Sequence, residues 1–212
     1  MSYIEPTVFV VDDDQLVRIS LQELMESVSL RVRAFASAQE FLESYEPESL
    51  GCLVLDVRMP GMSGTKLQDE LHRRGACLPI IFITGHGDIP MAVEALRKGA
   101  FDFVEKPVRG QLLLDRINSA IERDKQLYHR RARERQIKTR LALLTERENE
   151  VLGHLKAGCS AKVIARKLGL SRKTVDYHMS STREKMGVES TPQLIMLLHE
   201  IGLLQPPHMR LE

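Results

Sequence analysis

Several features are absent from this sequence, and each absence narrows the class of protein. Among the 212 residues there is no tryptophan and no apolar run near the roughly 20 residues that a membrane-spanning helix needs. The first residues, MSYIEPTVFVVDDD, lack the basic segment and the long apolar stretch of a secretory signal. We therefore expect a cytoplasmic protein.

Cysteine is scarce. The three cysteines, Cys52, Cys77 and Cys159, are scattered along the chain and do not have the spacing of metal ligands. Two of them lie in apolar surroundings, so we expect buried, reduced thiols rather than disulfides or a metal site.

The charge is divided unevenly along the chain, although the formal net charge is only +1. Residues 1–121 contain 12 Lys and Arg against 18 Asp and Glu, whereas residues 122–212 contain 18 against 11. Hydrophobic residues make up 43% of the sequence, which suffices for a proper core. The composition predicts two domains with different partners, of which the basic one is the candidate for contact with phosphate groups.

The first 120 residues alternate short apolar runs with amphipathic stretches. The runs VFVV, CLVLD and IIFIT are apolar at consecutive positions, which is typical of parallel strands covered on both faces. Five strands alternating with five helices predict a doubly wound α/β domain. The predicted strands are Thr7–Val11, Arg31–Phe35, Cys52–Asp56, Ile80–Thr84 and Asp102–Glu105.

Helix boundaries in this part follow from residues with capping ability. Ser37 and Ser63 are predicted N-caps, and Gly75 and Gly99 are predicted helix ends. Further helices are expected from about Asp14, Ile89 and Gly110.

Residues 122–140, ERDKQLYHRRARERQIKTR, contain eight basic and three acidic side chains and neither Gly nor Pro. We interpret them as a solvated helical linker. A dimeric coiled coil is the alternative, since apolar residues recur at heptad spacing, but two charged residues interrupt it. The heptad positions are Leu114, Ile117, Ile121 and Tyr128, and the interruptions are Asp124 and Arg131.

From Leu144 onward the pattern predicts four short helices and no strand. Thr145 and Glu148 form a T-x-x-E capping box, which defines the start of the first of them. The four predicted helices are Thr145–Lys156, Ala161–Leu168, Ser171–Met186 and Thr191–Glu200, separated by glycines.

Polar residues cluster at the predicted strand ends. Asp12 and Asp13 follow the first strand, Asp56 ends the third, Thr84 ends the fourth, and Lys106 follows the fifth. The ends of parallel strands lie side by side, so these groups should share a cleft where ligands gather. Clustered carboxylates need a cation, and hard oxygen ligands suit Mg²⁺. A carboxylate in such a site can become an acyl phosphate, with the lysine and hydroxyl holding phosphoryl oxygens.

Structural interpretations also exist for each part of this cluster. Acidic residues at strand ends often only cap the next helix, as we expect for Asp14, and Lys106-Pro107 alone is an ordinary turn. The occurrence of all five groups in order along alternating strands favours the functional interpretation.

Four segments in the first part resemble the receiver domain of two-component response regulators. They are VVDDD at 10–14, LVLDVRMPGMSG at 53–64, ITGHGD at 83–88 and DFVEKP at 102–107. The resemblance implies a flavodoxin-like fold over residues 5–121. It also implies that a histidine kinase phosphorylates Asp56. Mg²⁺, or Mn²⁺ as an alternative, would be bound by Asp12, Asp13, Asp56 and the carbonyl of Arg58. The resemblance further implies a phosphoryl-binding switch at Thr84, Phe103 and Lys106, and a cis Lys106-Pro107 peptide. It also implies a dimer interface on the fourth helix, fifth strand and fifth helix.

Arg58 and His86 occupy positions that tune dephosphorylation in that family. Two alternatives remain for Arg58. Its cation could screen the acyl phosphate or pair with Asp88, or it could be an ordinary surface residue.

Residues 161–187 read as a helix, a tight glycine turn and a second helix. On the second helix Val175, Met179, Thr182 and Met186 fall on one face, which we expect to face the core. A helix that is apolar behind and polar in front can enter the major groove of DNA. An ordinary helical hairpin is the alternative. The predicted outer face carries Lys173, Tyr177, Ser180, Ser181 and Glu184, with Asp176 beside it.

The segment at 144–188 resembles the LuxR-type four-helix DNA-binding domain, and the match extends to about residue 203. The whole chain therefore resembles FixJ/NarL-family response regulators, with a linker over 122–140 and a DNA-binding domain over 141–205, its helix-turn-helix at about 161–186. The implied DNA-contacting residues are Lys162, Arg172, Lys173, Thr174, His178 and Lys185 near phosphates, and Asp176, Tyr177, Ser180 and Ser181 near base edges.

Asp176 departs from many relatives, which carry a basic residue there. It could accept a hydrogen bond from a cytosine amino group, or it could merely pair with Lys173 or Arg172. We leave both alternatives open.

The sequence therefore predicts a transcription factor and not an enzyme. We expect a sensor kinase to phosphorylate it, after which the protein dimerises and binds promoter DNA. Gene activation and contact with RNA polymerase are expected from the resemblance. Three rival functions are disfavoured. A phosphohydrolase would need a second acid two residues after Asp56, where Arg58 lies. An RNA-binding regulator would need a platform of aromatic side chains, which the C-terminal segment lacks. A receiver that serves only for dimerisation would not need the complete set of acidic residues.

Overall fold

The protein is described by a computed structural model covering residues 5–47, 49–85 and 89–203. These residues form two compact units, one up to His129 and one from Arg130 onward. None of the helices in these ranges combines the length and the apolar character that a bilayer span requires.

The first unit contains a five-stranded parallel sheet in the order β2-β1-β3-β4-β5. Helices follow the strands in alternation, so the predicted doubly wound α/β fold is confirmed. The strands are β1 (Thr7–Val11), β2 (Arg31–Phe35), β3 (Gly51–Asp56), β4 (Ile80–Thr84) and β5 (Asp102–Glu105), and the helices are α1 (Gln15–Glu26), α2 (Ala38–Ser44), α3 (Gly64–Arg73), α4 (Ile89–Arg97) and α5 (Gly110–Leu141).

Burial along the strands explains their sequence patterns. Every residue of β1, β3 and β4 is buried, as the consecutive apolar runs predict, whereas β2 at the sheet edge alternates in exposure. One face of the sheet buries Phe9, Phe41 and Phe82, and the other buries Met25 and Ile117. The sheet is therefore covered on both faces.

The predicted helix starts are confirmed at atomic detail. The Ser37 hydroxyl accepts from the amide of Glu40 at 3.2 Å, and the Ser63 hydroxyl caps α3 in the same way. The Asp14 carboxylate accepts from the amide of Leu16 at 2.8 Å, so it is the N-cap of α1.

The start of α5 belongs to the core of the first unit. Leu114, Ile117 and Ile121 are buried there among residues of the sheet, so the coiled coil that would use them is excluded. Asp124, which interrupts the heptad, is 1% exposed and accepts a hydrogen bond from the amide of Gly51 at 3.0 Å. The break in the apolar pattern is therefore a contact with the beginning of β3.

The second unit is helical. Its core contains Ile137 from the end of α5, which is 2% exposed and packs with Leu152, Met186 and Leu198. Residues 122–140 all lie within α5, so the predicted helical conformation of the linker is confirmed. Its interpretation as a solvated segment is wrong for Ile137. The other helices are α6 (Glu146–Lys156), α7 (Ala161–Leu168), α8 (Arg172–Met186) and α9 (Thr191–Glu200).

The cysteines match the prediction only in part. All three are free thiols, and Cys52 is fully buried, which raises the pKa of its thiol. Cys77 is exposed and Cys159 is half-buried. The expectation of buried thiols is thus wrong for Cys77, because the irregular segment between α3 and β4 leaves its side chain at the surface.

Candidate functional sites: an acidic pocket and a helix-turn-helix

Three of the predicted pocket residues are in direct contact. Asp56, the last residue of β3, is 7% exposed, and Asp12, directly after β1, is 2% exposed. The Nζ atom of Lys106, which follows β5, lies 2.7 Å from Asp56 Oδ1 and 3.2 Å from Asp12 Oδ2. The parallel sheet thus brings together groups 94 residues apart in sequence.

The electrostatics of the pocket reflect two buried acids that share one cation. Burial raises the pKa of Asp56 despite the opposing effect of Lys106, and the nearby Asp12 carboxylate raises it further. Burial disfavours the charged form of Lys106, but its bonds to Asp56 and Asp12 outweigh this and raise the pKa of the ammonium. The carboxylate pair therefore remains short of positive charge.

The backbone around Asp56 holds its carboxylate in place. The amide of Arg58 donates to Asp56 Oδ2 at 2.7 Å, and the amide of Gly64 donates to the carbonyl of Val57 at 3.0 Å. A Cβ at Gly64 would come within 2.2 Å of the Asp56 carbonyl oxygen. Sequence reasoning did not single out Gly64 as a residue that allows this close approach, although it lies within the quoted receiver segment.

The side chains of the other predicted pocket residues have different surroundings. The Asp13 side chain is exposed, and the fully buried Thr84 hydroxyl donates to the carbonyl of Gly85 at 2.9 Å. Phe103 is half-buried against the core. Arg18, which the sequence did not reveal, donates to the carbonyls of Asp12 at 2.7 Å and Asp13 at 3.0 Å.

Two further expectations concern the Lys106-Pro107 peptide and the partner of Arg58. The Lys106-Pro107 peptide is cis, as the resemblance implied. His86 and Asp88 lie outside the described residues, so the proposed pairing of Arg58 with Asp88 stays a prediction.

The second unit contains the expected helix-turn-helix. Gly169 ends α7 with a φ of 65°, and the Ser171 hydroxyl accepts from the amide of Thr174 at 3.0 Å to cap α8. Val175, Thr182 and Met186 are buried on the inner face of α8. Four residues of the predicted outer face are exposed, with Tyr177 at 69%, whereas the fifth, Ser181, is half-buried. The helix is thus apolar on the face toward the core and polar on the opposite face.

Asp176 faces solvent beside Arg172. Their closest side-chain atoms, Nε and Oδ2, are 3.8 Å apart, and both side chains are more than half exposed. Such a pair contributes little to stability, so the geometry is compatible with both alternatives for Asp176.

Two residues expected to contact DNA have a partner inside the unit. Glu148 of α6 is 3% exposed, and its Oε1 accepts from the Ser181 hydroxyl at 2.6 Å. Its Oε2 accepts from Lys185 Nζ and from the amide of Thr145, each at 2.7 Å. Although burial opposes it, this bonding lowers the pKa of Glu148 to about 2. Ser181 and Lys185 therefore fasten α8 to α6.

This contact predicts a pH-dependent stability. Lys185→Met should lower the free energy of unfolding of the second unit at pH 7 by about 2 kcal/mol, allowing for solvent screening of the partly exposed lysine. The Glu148 contribution is complete above its ordinary pKa of 4.5 and disappears as the pH falls toward about 2. In urea titrations of both proteins, the difference should therefore shrink between pH 4.5 and 2.

The control is Lys173→Met, which removes an exposed lysine from the same helix. It should leave the unfolding free energy within about 0.5 kcal/mol of wild type. A difference between wild type and Lys185→Met that stays constant down to pH 2 would show that the ion pair is not its source.

Comparison with known proteins agrees with this architecture. The family model described as "Response regulator receiver domain" matches residues 8–118, and "Bacterial regulatory proteins, luxR family" matches residues 142–198. Transcriptional regulatory protein TdiR of Thauera aromatica is 46% identical over 189 residues, which are 89% of this chain and 83% of that protein. Nodulation protein W of Bradyrhizobium diazoefficiens is 44% identical over 196 residues, which are 92% and 86%.

Solved structures show the same likeness. Response regulator StyR has a TM-score of 0.85 at 42% identity, covering 92% of this chain and 99% of that one. Full-length FixJ from B. japonicum has a TM-score of 0.58 at 37% identity, covering 96% and 100%. Fold and site thus define a two-component response regulator with a LuxR-type DNA-binding domain. Within that class, the chain belongs to the FixJ/NarL family of transcriptional regulators.

Proposed function

We propose that phosphorylation of Asp56 by a sensor histidine kinase switches this regulator to its DNA-binding form. The observation that carries the proposal is the contact of the buried Asp56 carboxylate with Lys106 at 2.7 Å, beside a second buried acid, Asp12. In the reaction, an Asp56 oxygen attacks the phosphorus atom of phosphohistidine. The bond between phosphorus and the imidazole nitrogen breaks, and an acyl phosphate forms.

The residues around Asp56 have separate proposed roles. Lys106, already at the acceptor oxygen, would neutralise charge on the phosphoryl group. Thr84 would leave its bond to the Gly85 carbonyl and turn toward the phosphoryl oxygens, and Phe103 would turn inward with it. This rearrangement would prepare the surface of α4, β5 and α5 for pairing with a second copy.

The pocket fits a resident Mg²⁺ ion, with Mn²⁺ as the alternative. Within the described ranges no group of three or more His, Cys, Asp or Glu side chains is gathered in a ready ligand set. The oxygen chemistry fits nevertheless, because two buried carboxylates share a single lysine and the exposed Asp13 follows directly. Asp12, Asp13, Asp56 and the Arg58 carbonyl would hold the ion. When bound, Mg²⁺ supplies positive charge to the transferring phosphoryl group.

We propose that α8 reads promoter DNA from its exposed face. Asp176, Tyr177 and Ser180 are exposed there and would meet base edges. Ser181 and Lys185 would have to leave Glu148 to do so, and we assign them a structural role first. The proposed phosphate contacts are Lys162, Arg172, Lys173, Thr174 and His178.

The proposed partners follow from this mechanism. They are the cognate sensor kinase, double-stranded promoter DNA, a second copy of the phosphorylated chain, and RNA polymerase, which an activator contacts. A dimer would bind a two-part operator more tightly, because the second half-site is reached at high effective concentration. As a DNA-binding regulator the protein would act in the cytoplasm. It would not be an enzyme beyond accepting and losing its own phosphoryl group.

Treatment of the full chain with acetyl phosphate tests the proposal. We expect intact mass spectrometry to show one added phosphoryl group with Mg²⁺ and none with a chelator. Fluorescence anisotropy should show tighter binding to a DNA duplex selected by the treated protein, by about tenfold or more if pairing doubles the contacts. Modification without any change in DNA binding would contradict the switch, and selective binding that does not depend on modification would contradict it equally.

A further inference from the structure

The C-terminal end of α8 is held by a residue from outside the LuxR-type domain. The Nη1 atom of Arg140, at the end of α5, donates to the carbonyl of Met186 at 2.7 Å. Met186 is the last residue of α8. The luxR family match begins at residue 142, so Arg140 precedes it. It lies in the segment that the sequence suggests is only a linker.

Charge and close packing both characterise the contact between Arg140 and the end of α8. The last carbonyls of a helix have no partner within the helix and carry partial negative charge, which a guanidinium stabilises. The next residue, Gly187, has a φ of 67°, and a Cβ there would come within 2.6 Å of Arg140 Nη1. The guanidinium therefore lies directly against the backbone of Gly187, whose positive φ itself favours glycine at this helix end.

The last turns of α5 belong to the second unit and pack into its core. Ile137, one turn before Arg140, is 2% exposed in the same core as Met186. Farther back, Arg133 Nε pairs with Glu200 Oε1 of α9 at 2.6 Å. Arg140 thus extends from an anchored helix and is directed at the end of α8.

We propose that Arg140 is a positioning residue for DNA recognition, which sets the orientation of α8 from the end of α5. The inference rests on the proposed function in that α8 reads DNA. Of the contacts described above for α8, the Ser171 cap acts at its start and Glu148 acts from α6, both within the matched domain. Arg140 adds a contact from the last turn of α5, which lies in the second unit but precedes the matched domain, so the base-reading face depends on that turn.

The test compares Arg140→Met and Arg140→Lys in the full chain, with Lys138→Met as the control, all after treatment with acetyl phosphate and Mg²⁺ and with equal modification checked by intact mass. Lys138 is exposed on the same helix two residues earlier. Binding is measured on a duplex selected by wild-type protein and on a random duplex of equal length, at several salt concentrations and well below the unfolding temperature. The readout is the ratio of the two affinities, which partial unfolding does not change, since it lowers both equally.

For Arg140→Met we expect this selectivity ratio to fall about tenfold, corresponding to one hydrogen bond from a charged donor. The slope of affinity against salt should stay unchanged. Arg140→Lys should recover most of the ratio, because its ammonium can donate to the same carbonyl. Lys138→Met should behave as wild type in selectivity.

Three results would overturn the inference. Equal losses on both duplexes with a salt slope smaller by about one would make Arg140 a phosphate contact. Equal losses with an unchanged slope would show a role in stability alone. An unchanged Arg140→Met would show that the contact does not matter for binding. If wild type itself shows no selectivity, the proposed reading of DNA by α8 fails, which is a distinct outcome.

Discussion

Asp56→Asn should abolish phosphorylation by acetyl phosphate and with it every phosphorylation-dependent gain in DNA affinity. The amide that replaces the carboxylate is not a nucleophile at neutral pH, and it cannot form the acyl phosphate. The substitution keeps the shape of the side chain and removes one of two buried carboxylates that share Lys106. We therefore expect the variant to fold, with an unfolding temperature at or above that of wild type.

Asp14→Asn is the matched control. It makes the same chemical change two residues from Asp12, at an exposed N-cap where asparagine serves as well as aspartate. Intact mass after treatment with acetyl phosphate and Mg²⁺ should show one phosphoryl group on this variant and on wild type. Full modification of Asp56→Asn, mapped by peptide analysis to Asp12 or Asp13, would move the acceptor and contradict the assignment.

Gly51→Ala should unfold the first unit or destabilise it by more than about 4 kcal/mol, which is exceptional for a single substitution. Gly51 has a φ of 148°, and a Cβ there would lie 1.8 Å from the carbonyl oxygen of Thr7. Thr7 and Gly51 are paired in the register of two central strands, β1 and β3. Relief of the clash would require these strands to separate, which would also disturb the bond from the Gly51 amide to the buried Asp124.

Hydrogen exchange and circular dichroism would measure this effect. Amides of β1 and β3 should lose protection in Gly51→Ala, while those of α6 to α9 keep theirs. The control is Gly153→Ala in α6, where a Cβ meets nothing within 4 Å and helix propensity should add up to about 1 kcal/mol. Wild-type protection of β1 and β3 in Gly51→Ala would refute the close approach described for this residue.

Much of the fold and of the acidic pocket could be predicted because the relevant signals are local or ordered along the chain. The buried strands are recognisable as runs of consecutive apolar residues. Ser37, Ser63 and Thr145 are N-caps, and each marks the start of the helix that follows it. The positions of Asp12, Asp56 and Lys106 at strand ends sufficed to predict their contact, because all parallel strands end at the same edge.

Contacts between distant segments could not be predicted in this way. Asp124 interrupts an apolar pattern, and the sequence does not show that the amide of Gly51 is its partner. Ile137 lies among charged residues, and only the fold reveals that it enters the core of the second unit. In each case a side chain of ordinary character takes its role from a neighbour that the chain supplies many residues away.

The difference between what the sequence determines and what the tertiary structure decides is clearest in the second unit. The sequence alone determined where its helices begin, which face of α8 is apolar, and that basic residues accompany them, since periodicity and capping depend on residues a few positions apart. Only the tertiary structure decided that Lys185 meets the buried Glu148 and that Arg140 meets the end of α8. A lysine or arginine is chemically suited to either a phosphate or a buried acceptor. Which one it meets depends on the packing of helices that sequence periodicity does not specify.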